Sequence, residues 1–381
     1  MTLETAMDEE WLAPDQADVA LSQLKNRRPF LQRSLMLSLL LAAVVLAWRS
    51  PSSESPLGPP PTDRQLVWFS SETTRDPLAI HLEAFDWTGQ RLGMLSLPCR
   101  GPCGYSTSPD GQRVIVFEEP FIGQPRIPGS VYDVSGRWLG AVANPSGMWA
   151  DDSRHVCNLA APTSITPSNS VSAIAKLRVA DLSGTEGREV TSVTSNDGAA
   201  AAGWWQLLAC SVKSDRAVLA FADGDAVYDL LVIRLSTGER LFERREPSSG
   251  NGCGCPISLA VASANASVLV ENMGAAGIEI RNLSTGGVRT WRSAWAGWGQ
   301  AVWLSWKGNR ALTPDGIVEL GTDRVLWRPP SPSSASLAGL RPGTDDVLVY
   351  LWPPDETRTW ELILGSDGSR IPISHTQAFT P

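Results

Sequence analysis

The cysteines of this 381-residue chain are the side chains best suited to chemistry, because two pairs of them lie close together in sequence. Cys99 and Cys103 flank an Arg-Gly-Pro loop, and a single glycine separates Cys253 from Cys255. Such short spacings favour a disulfide within each pair if the chain folds outside a reducing compartment. A zinc site is a weaker interpretation, since the paired Cys-x-x-Cys and histidine spacing of zinc ligands is missing. Buried thiols or a redox-active pair would also fit these cysteines.

Tryptophans are concentrated in one stretch, and they offer a binding surface rather than a reaction. Five of the 16 tryptophans lie between residues 291 and 306. Trp295 and Trp298 stand in a segment rich in glycine and alanine, where their indole rings could form a platform for a carbohydrate or a partner protein. The alternative is that these rings pack between repeats inside the fold.

A group of aspartates has the alternate spacing that suits a hard cation such as calcium: Asp223 and Asp225, with Asp229 nearby. The rest of a calcium-binding loop is missing, and Asp-Gly is also an ordinary hairpin turn. We therefore predict a turn here, with no metal and no other cofactor.

Catalytic side chains are sparse in this sequence. It contains neither a Gly-x-Ser-x-Gly nucleophile elbow nor a glycine-rich phosphate loop. The three histidines are scattered, at His81, His155 and His375. Hydrolysis by paired carboxylates would need side chains that converge from several repeats. We expect no catalytic residues, with a channel of carboxylates as the alternative.

The elements that must position these residues are short strands that recur along the chain. Ser108–Phe117 is the clearest copy: Ser-Pro-Asp-Gly supplies a turn, and Val-Ile-Val-Phe supplies a strand that is apolar on both faces. Weaker copies recur at a spacing of roughly 40–60 residues, which is typical of β-propeller blades. Cys157 and Cys210 fall on neighbouring predicted blades, Cys157 in a buried strand.

Hairpins with a small polar turn alternate with these copies, as at Asp133–Leu139 and Leu235–Arg240. A four-stranded sheet that is apolar on both faces is buried only when such sheets stack around an axis. The sequence therefore predicts an all-β, seven-bladed β-propeller. We place the blades at about 63–97, 102–144, 148–192, 203–245, 255–292, 299–328 and 335–373.

Ser108-Pro109-Asp110-Gly111, followed by Arg113 and an apolar strand, resembles the repeat of TolB-type and related WD-repeat-like bacterial β-propellers. The resemblance covers roughly Thr62 to Ile373, and the complete motif occurs in one copy. It implies a propeller used as a binding or scaffold surface.

Closure of the ring poses a specific question at the first blade. Pro59, Pro60 and Pro61 occupy the place of its innermost strand, and prolines cannot donate to a strand ladder. We expect the tail at 374–381 to supply the missing strand.

The N-terminal residues predict a membrane anchor. Residues 1–33 are acidic and then basic, as in a disordered cytoplasmic tail. Ser34–Trp48 is an apolar run flanked by Arg33 and Arg49, which suits a short transmembrane helix whose arginines snorkel. The positive-inside rule then places the propeller in the periplasm or outside the cell. A cleaved signal peptide and a buried helix are the alternatives.

The remaining domain boundaries and the composition complete the sequence-based prediction. A Pro/Ser-rich linker is expected at 49–62 and the propeller at 63–381. With a net charge of −8 and no basic stripe, the chain is not a nucleic-acid binder. We expect a membrane-anchored module that binds a protein or carbohydrate. The alternatives are an envelope enzyme of the glycoside hydrolase or lyase type, and a transmembrane sensor whose N-terminal tail contacts a cytoplasmic partner.

Overall fold

Runs of β-branched and aromatic residues, separated by turn residues, form antiparallel β-strands throughout the computed structural model. In β5 (Arg113–Glu118) the run Val114–Phe117 follows the Ser108–Gly111 turn, as its composition predicts. The structure describes residues 59–70, 79–99, 103–118, 128–143, 147–160, 174–182, 187–194, 204–223, 226–245, 259–272, 277–292, 303–313, 316–322, 324–329, 335–351, 359–363 and 370–373.

The strands form consecutive sheets in which each strand pairs with the next along the chain. The first sheet has three strands: β1 (Leu66–Ser70), β2 (Ala79–Asp86) and β3 (Arg91–Pro98). The next two sheets comprise β4 (Cys103–Thr107), β5 (Arg113–Glu118), β6 (Gly129–Asp133) and β7 (Trp138–Val142), then β8 (Met148–Trp149), β9 (His155–Ala160), β10 (Ile174–Asp181) and β11 (Arg188–Thr194).

Four more sheets of four strands follow in the same order. Two of them comprise β12 (Trp204–Ser211), β13 (Arg216–Asp223), β14 (Ala226–Arg234) and β15 (Arg240–Arg245), then β16 (Leu259–Ala262), β17 (Val268–Asn272), β18 (Ile278–Asn282) and β19 (Val288–Trp291). The last two comprise β20 (Trp303–Leu304), β21 (Arg310–Thr313), β22 (Gly316–Glu319) and β23 (Val325–Trp327), then β24 (Ala335–Leu340), β25 (Val347–Leu351), β26 (Thr359–Ile363) and β27 (Arg370–Ile373).

The fold is an all-β propeller, but the predicted count of seven blades is wrong. The described residues form six complete four-stranded blades, and the β1–β3 sheet has three strands. The physical reason lies at Pro59–Pro61, which precede β1 and cannot donate main-chain hydrogen bonds to a neighbouring strand. The expected closing strand at 374–381 lies outside the described residues.

The transmembrane helix that the sequence predicts is not found among the described residues. Across the described part of the chain, no helix is both long enough and apolar enough to cross a membrane. Residues 1–58, which include Ser34–Trp48 and the expected tail, lie outside that part.

Two ends of the sheets can be distinguished by their connections. The turn between the first and second strands lies beside the hairpin between the third and fourth, because Leu235 N donates to Asp215 O at 3.1 Å. We call this end the turn face. At the opposite end, the connection face, the chain passes from one sheet to the next.

Apolar side chains fill the spaces between neighbouring sheets. Leu177 of β10 and Phe221 of β13 belong to one buried cluster that joins the β8–β11 and β12–β15 blades. Phe69 and Phe85 of the first sheet share another cluster with Leu348 of β25. The three-stranded sheet therefore packs against the last blade, and burial of each such side chain contributes roughly 1.5–3 kcal/mol.

One ion pair lies within this packing, between the β12–β15 and β16–β19 blades. The side chain of Glu271 is fully buried, and Arg244 donates to its Oε2 atom at 2.7 Å. Its other carboxylate oxygen, Oε1, accepts no hydrogen bond, but the Nε atom of Arg281 lies 4.0 Å from it. Burial raises the pKa of Glu271, although the charge of Arg244 acts in the opposite direction.

Candidate functional site: the polar cavity of the turn face

The turns of the turn face satisfy their own hydrogen bonds. In the Ser108 turn, Gly111 N donates to Ser108 O at 2.8 Å, and Ser108 Oγ donates to Asp110 Oδ1 at 2.6 Å. The same pattern recurs at Ser263, whose hydroxyl donates to Asn265 Oδ1 at 2.8 Å. A serine followed two residues later by Asp or Asn thus builds a rigid turn from local contacts.

Hydrogen bonds also link these turns to neighbouring sheets. Asp110 N donates to Ser153 Oγ at 3.0 Å, and Ser211 Oγ donates to Asp151 Oδ2 at 2.7 Å. Further along, Ser214 Oγ donates to Asn265 O at 2.9 Å, and Ser305 Oγ donates to Asp345 Oδ1 at 2.5 Å. The turns therefore form a connected rim rather than independent loops.

A cavity of about 540 Å³ opens within this rim. Its lining residues come from six of the sheets, counting Gln65 just before β1 as part of the first. The lining comprises Gln65, Asp151, Ser211, Lys213, Ser214, Asn265, Ser267, Ser284, Trp306, Pro342 and Gly343. Its volume falls within the range of about 300–1,000 Å³ that ligand sites occupy.

The chemistry of this turn-face cavity is that of hydrogen bonding. Hydroxyl and amide groups dominate its lining, and Trp306 adds a buried aromatic ring. The Asp151 carboxylate accepts from Ser211 and from Lys213 N at 3.1 Å, so it is committed to the rim. Lys213 is exposed and presents the cationic side chain of the described lining.

A second cavity, of about 460 Å³, lies farther out on the turn face between the β8–β11 and β12–β15 blades. Its lining includes His155, whose Nδ1 atom lies 2.6 Å from Asp152 Oδ2. Partial burial acts to raise the pKa of Asp152, but hydrogen bonds from Arg154 N and from His155 outweigh it and hold that pKa low. The aspartate orients the imidazole ring, while the nearby Ser236 hydroxyl donates to Asp215 at 2.5 Å. The described contacts do not join His155 to a nucleophile.

The cysteines predicted to do chemistry fall into three groups. Cys99 and Cys103 form a disulfide with Cα atoms 6.4 Å apart, on the connection face. Cys157 and Cys210, which the sequence places in neighbouring repeats, form a second disulfide between β9 and β12. Both of its sulfurs belong to buried residues. The predicted Cys253–Cys255 pair lies outside the described residues.

The remaining sequence-predicted sites are not brought together. Trp295 and Trp298 lie outside the described residues, whereas Trp291 and Trp306 are buried. Asp229 is buried in β14, and the described residues contain no group of three metal-ligating side chains. His81 Nδ1 lies 2.7 Å from Ser96 Oγ, and neither residue lines the turn-face cavity.

Sequence reasoning missed the residues that line the turn-face cavity. Asp151 and Ser211 are 60 residues apart, and neither stands in a motif that marks a site. The one signal in the sequence is positional: each lies at the turn before the second strand of its repeat, in the place that the Ser108–Gly111 turn takes in its own repeat.

Comparisons with known proteins support the fold and leave the family open. No protein-family model matches the chain. No curated protein sequence matches it either. Among solved structures, 787 chains match, so the architecture is too widespread to indicate one activity.

One matching structure comes from a study of two prolyl endopeptidases, on the role of inter-domain dynamics in catalysis and specificity. The TM-score is 0.56 at 15% sequence identity, and the match covers 80% of this chain. This chain spans about half, 47%, of that structure's length. The similarity supports the β-propeller fold alone, and it does not distinguish TolB-type propellers from others.

Proposed function

We propose that this protein is a binding module that recognises a segment of a partner protein in the turn-face cavity. The observation that carries the proposal is the cavity itself, whose lining residues come from six sheets and whose hydroxyl, amide and lysine groups converge on one space. A polypeptide segment carries both donors and acceptors, which such a lining can satisfy.

Electrostatics favour a segment that contains an acidic side chain. Lys213 is exposed at the cavity, while the two carboxylate oxygens of Asp151 accept hydrogen bonds from Ser211 and from the main chain. A carboxylate in the ligand would meet a cation there instead of an unpaired carboxylate. The carbohydrate hypothesis depended on Trp295 and Trp298, and the described cavity gives it no comparable support.

The enzyme hypothesis fits the described cavity less well. Hydrolysis by two carboxylates needs an acid and a second carboxylate that face the same bond. Among the described lining residues, Asp151 is the carboxylate, and its hydrogen bonds serve the rim. We therefore place recognition, and not bond cleavage, at this cavity.

The disulfides support a proposed location outside the reducing cytosol. Cys157 and Cys210 are 0% and 1% exposed, so their bond belongs to the blade-to-blade core. Buried disulfides of this kind persist in secreted, periplasmic or extracellular proteins.

A displayed random-peptide library tests the proposal. Selection on the intact protein should enrich sequences with an acidic residue. Lys213→Glu and Gln65→Trp alter exposed residues of the cavity and should abolish that enrichment. Arg245→Glu, at the end of β15 on the connection face, is the matched control and should leave it unchanged. Enrichment that is absent, or equal on all variants, would overturn the proposal.

A further inference from the structure

The Cys99–Cys103 disulfide lies in the wall of a cavity on the connection face. This disulfide cavity has a volume of about 310 Å³. Both cysteines line it, and the disulfide spans four positions of sequence at the passage from β3 to β4. The cavity is lined by Pro98, Cys99, Cys103, Val116, Glu118, Pro128, Ser130 and Tyr132.

Access to solvent separates this disulfide from the other one that the structure describes. Cys157 and Cys210 are sealed within the core between two blades. Cys103 is half-buried at the cavity wall, and Cys99 is 8% exposed. A thiolate must approach a disulfide sulfur directly for exchange to occur. The disulfide cavity provides that approach, with Cys103 as the more exposed of the two residues.

A glutamate lies opposite Cys103, the more exposed of the two cysteines. Glu118 of β5 is the direct cross-strand partner of Cys103 in β4. Directly opposed residues of antiparallel strands have Cβ atoms roughly 4.5–5.5 Å apart. Glu118 also lines the cavity, so its carboxylate is placed to accept a proton from a thiol that approaches Cys103.

We propose that the Cys99–Cys103 disulfide is a thiol–disulfide exchange site that oxidises a dithiol. One thiol of the dithiol gives its proton to Glu118, and the resulting thiolate attacks Sγ of Cys103. The Cys99–Cys103 bond breaks, and its electron pair stays on Sγ of Cys99, which takes up a proton. The second thiol of the substrate then gives up its proton and attacks the substrate sulfur of the mixed disulfide. Cys103 leaves with the electron pair of that bond and takes up a proton.

The reaction balances without a further oxidant. The dithiol becomes a disulfide, and its two electrons and two protons convert Cys99 and Cys103 to thiols. This activity is independent of the proposed binding function, because the disulfide cavity lies on the connection face and shares no lining residue with the turn-face cavity.

The test equilibrates the intact oxidised protein with glutathione and glutathione disulfide at a series of ratios. Free thiols are then alkylated in the native state and assigned by peptide mapping. We expect Cys99 and Cys103 to be reduced reversibly at ratios that leave Cys157–Cys210 oxidised. If Cys99–Cys103 stays oxidised at every ratio, or opens only with Cys157–Cys210, the proposal is wrong.

Two variants test the assigned roles with dithiothreitol as the probe dithiol. Glu118→Gln should slow reduction of Cys99–Cys103 by about tenfold at neutral pH. Glu189→Gln, on an exposed strand of another blade, is the control and should not slow it. Cys99→Ser leaves Cys103 free and should react with glutathione disulfide faster than Cys103→Ser does. An unchanged rate for Glu118→Gln, or the reverse order of the serine variants, would contradict the mechanism.

Discussion

Ser211 Oγ donates a 2.7 Å hydrogen bond to Asp151 Oδ2, and this buried contact joins the first strand of one blade to the turn of its neighbour. The other carboxylate oxygen accepts from Lys213 N at 3.1 Å. One aspartate therefore fixes the position of the segment that carries the exposed Lys213 side chain. The rim of the turn-face cavity is rigid because its blades are tied together at the cavity wall.

Removal of this aspartate should destabilise the protein. Asp151→Ala leaves Ser211 Oγ and Lys213 N without their acceptor, which we expect to cost about 2–3 kcal/mol in the free energy of unfolding. Glu239→Gln, which removes a largely exposed partner of Arg234, should change it by less than about 0.5 kcal/mol. Urea unfolding of both variants makes the comparison, and equal midpoints would show that the contact is dispensable.

Gly111 should be more sensitive to substitution than a glycine of the same backbone conformation in open space. Its φ is +71°, and a Cβ atom there would lie 2.2 Å from Leu66 O of the first sheet. Gly286 has a φ of +73° with nothing within 4 Å. Gly286→Ala should cost about 1–2 kcal/mol from backbone strain alone.

Gly111→Ala should lower the free energy of unfolding more than Gly286→Ala does, because the junction of the first two sheets must also move. That junction holds the bond from Leu66 N to Asp110 O at 3.0 Å. Thermal unfolding measures both variants under the same conditions. Similar decreases in Tm for the two variants would mean that Leu66 can shift at little energetic cost.

The two disulfides should differ in their contribution to stability. Cys157–Cys210 closes a separation of 53 residues, and Cys99–Cys103 closes one of four. The chain-entropy treatment gives about 4 kcal/mol for the long loop and about 2 kcal/mol for the short one. Double substitution to alanine, followed by denaturant unfolding, should therefore be more damaging at Cys157 and Cys210. The opposite ranking would contradict the assignment of that bond to the structural core.

The buried ion pair should respond asymmetrically to loss of either partner. Arg244→Met leaves the buried Glu271 carboxylate with only the more distant Arg281, whose Nε atom lies 4.0 Å from Oε1, and should cost about 3 kcal/mol at pH 7. Glu271→Gln removes the buried charge and leaves partly exposed arginines that water can solvate, so it should cost less than Arg244→Met does.

The raised pKa of Glu271 sets the sign of the pH dependence. Burial makes the folded state hold this proton more tightly than the unfolded state does. The contribution of Glu271 to stability is therefore greatest below its unfolded-state pKa of about 4.3. That contribution is lost as pH rises through the raised pKa of the folded state. We expect the defect of Arg244→Met to shrink when unfolding is measured near pH 4.5 instead of pH 7. A defect that is constant or larger at the lower pH would argue against a raised pKa.

Local chemistry predicted much of the architecture. The Ser108–Gly111 turn, the buried run after it and the repeat spacing were sufficient for an all-β propeller, because turn geometry and two-sided burial act within a few residues. Pro59–Pro61 were sufficient to predict that the first sheet lacks a strand. The number of complete blades was not predictable in this way, because a repeat count treats the β1–β3 segment as equal to the others.

The candidate site was less predictable for a physical reason. Asp151, Ser211 and Asn265 belong to different repeats, and they meet only when the sheets close around an axis. Within one repeat, only their position at the turn before the second strand marks them. Cys99 and Cys103, in contrast, are near in sequence, so their pairing could be anticipated, whereas the cavity beside them depends on β5 and β6.

The affinity of a selected acidic peptide for the intact protein tests the central claim most directly. Fluorescence anisotropy would measure its Kd for wild type, Lys213→Glu, Gln65→Trp and the Arg245→Glu control. We predict at least about tenfold weaker binding for both cavity variants, which corresponds to about 1.4 kcal/mol, and wild-type affinity for the control. Equal affinity across all four proteins, or loss of binding in the control alone, would contradict recognition at the turn-face cavity.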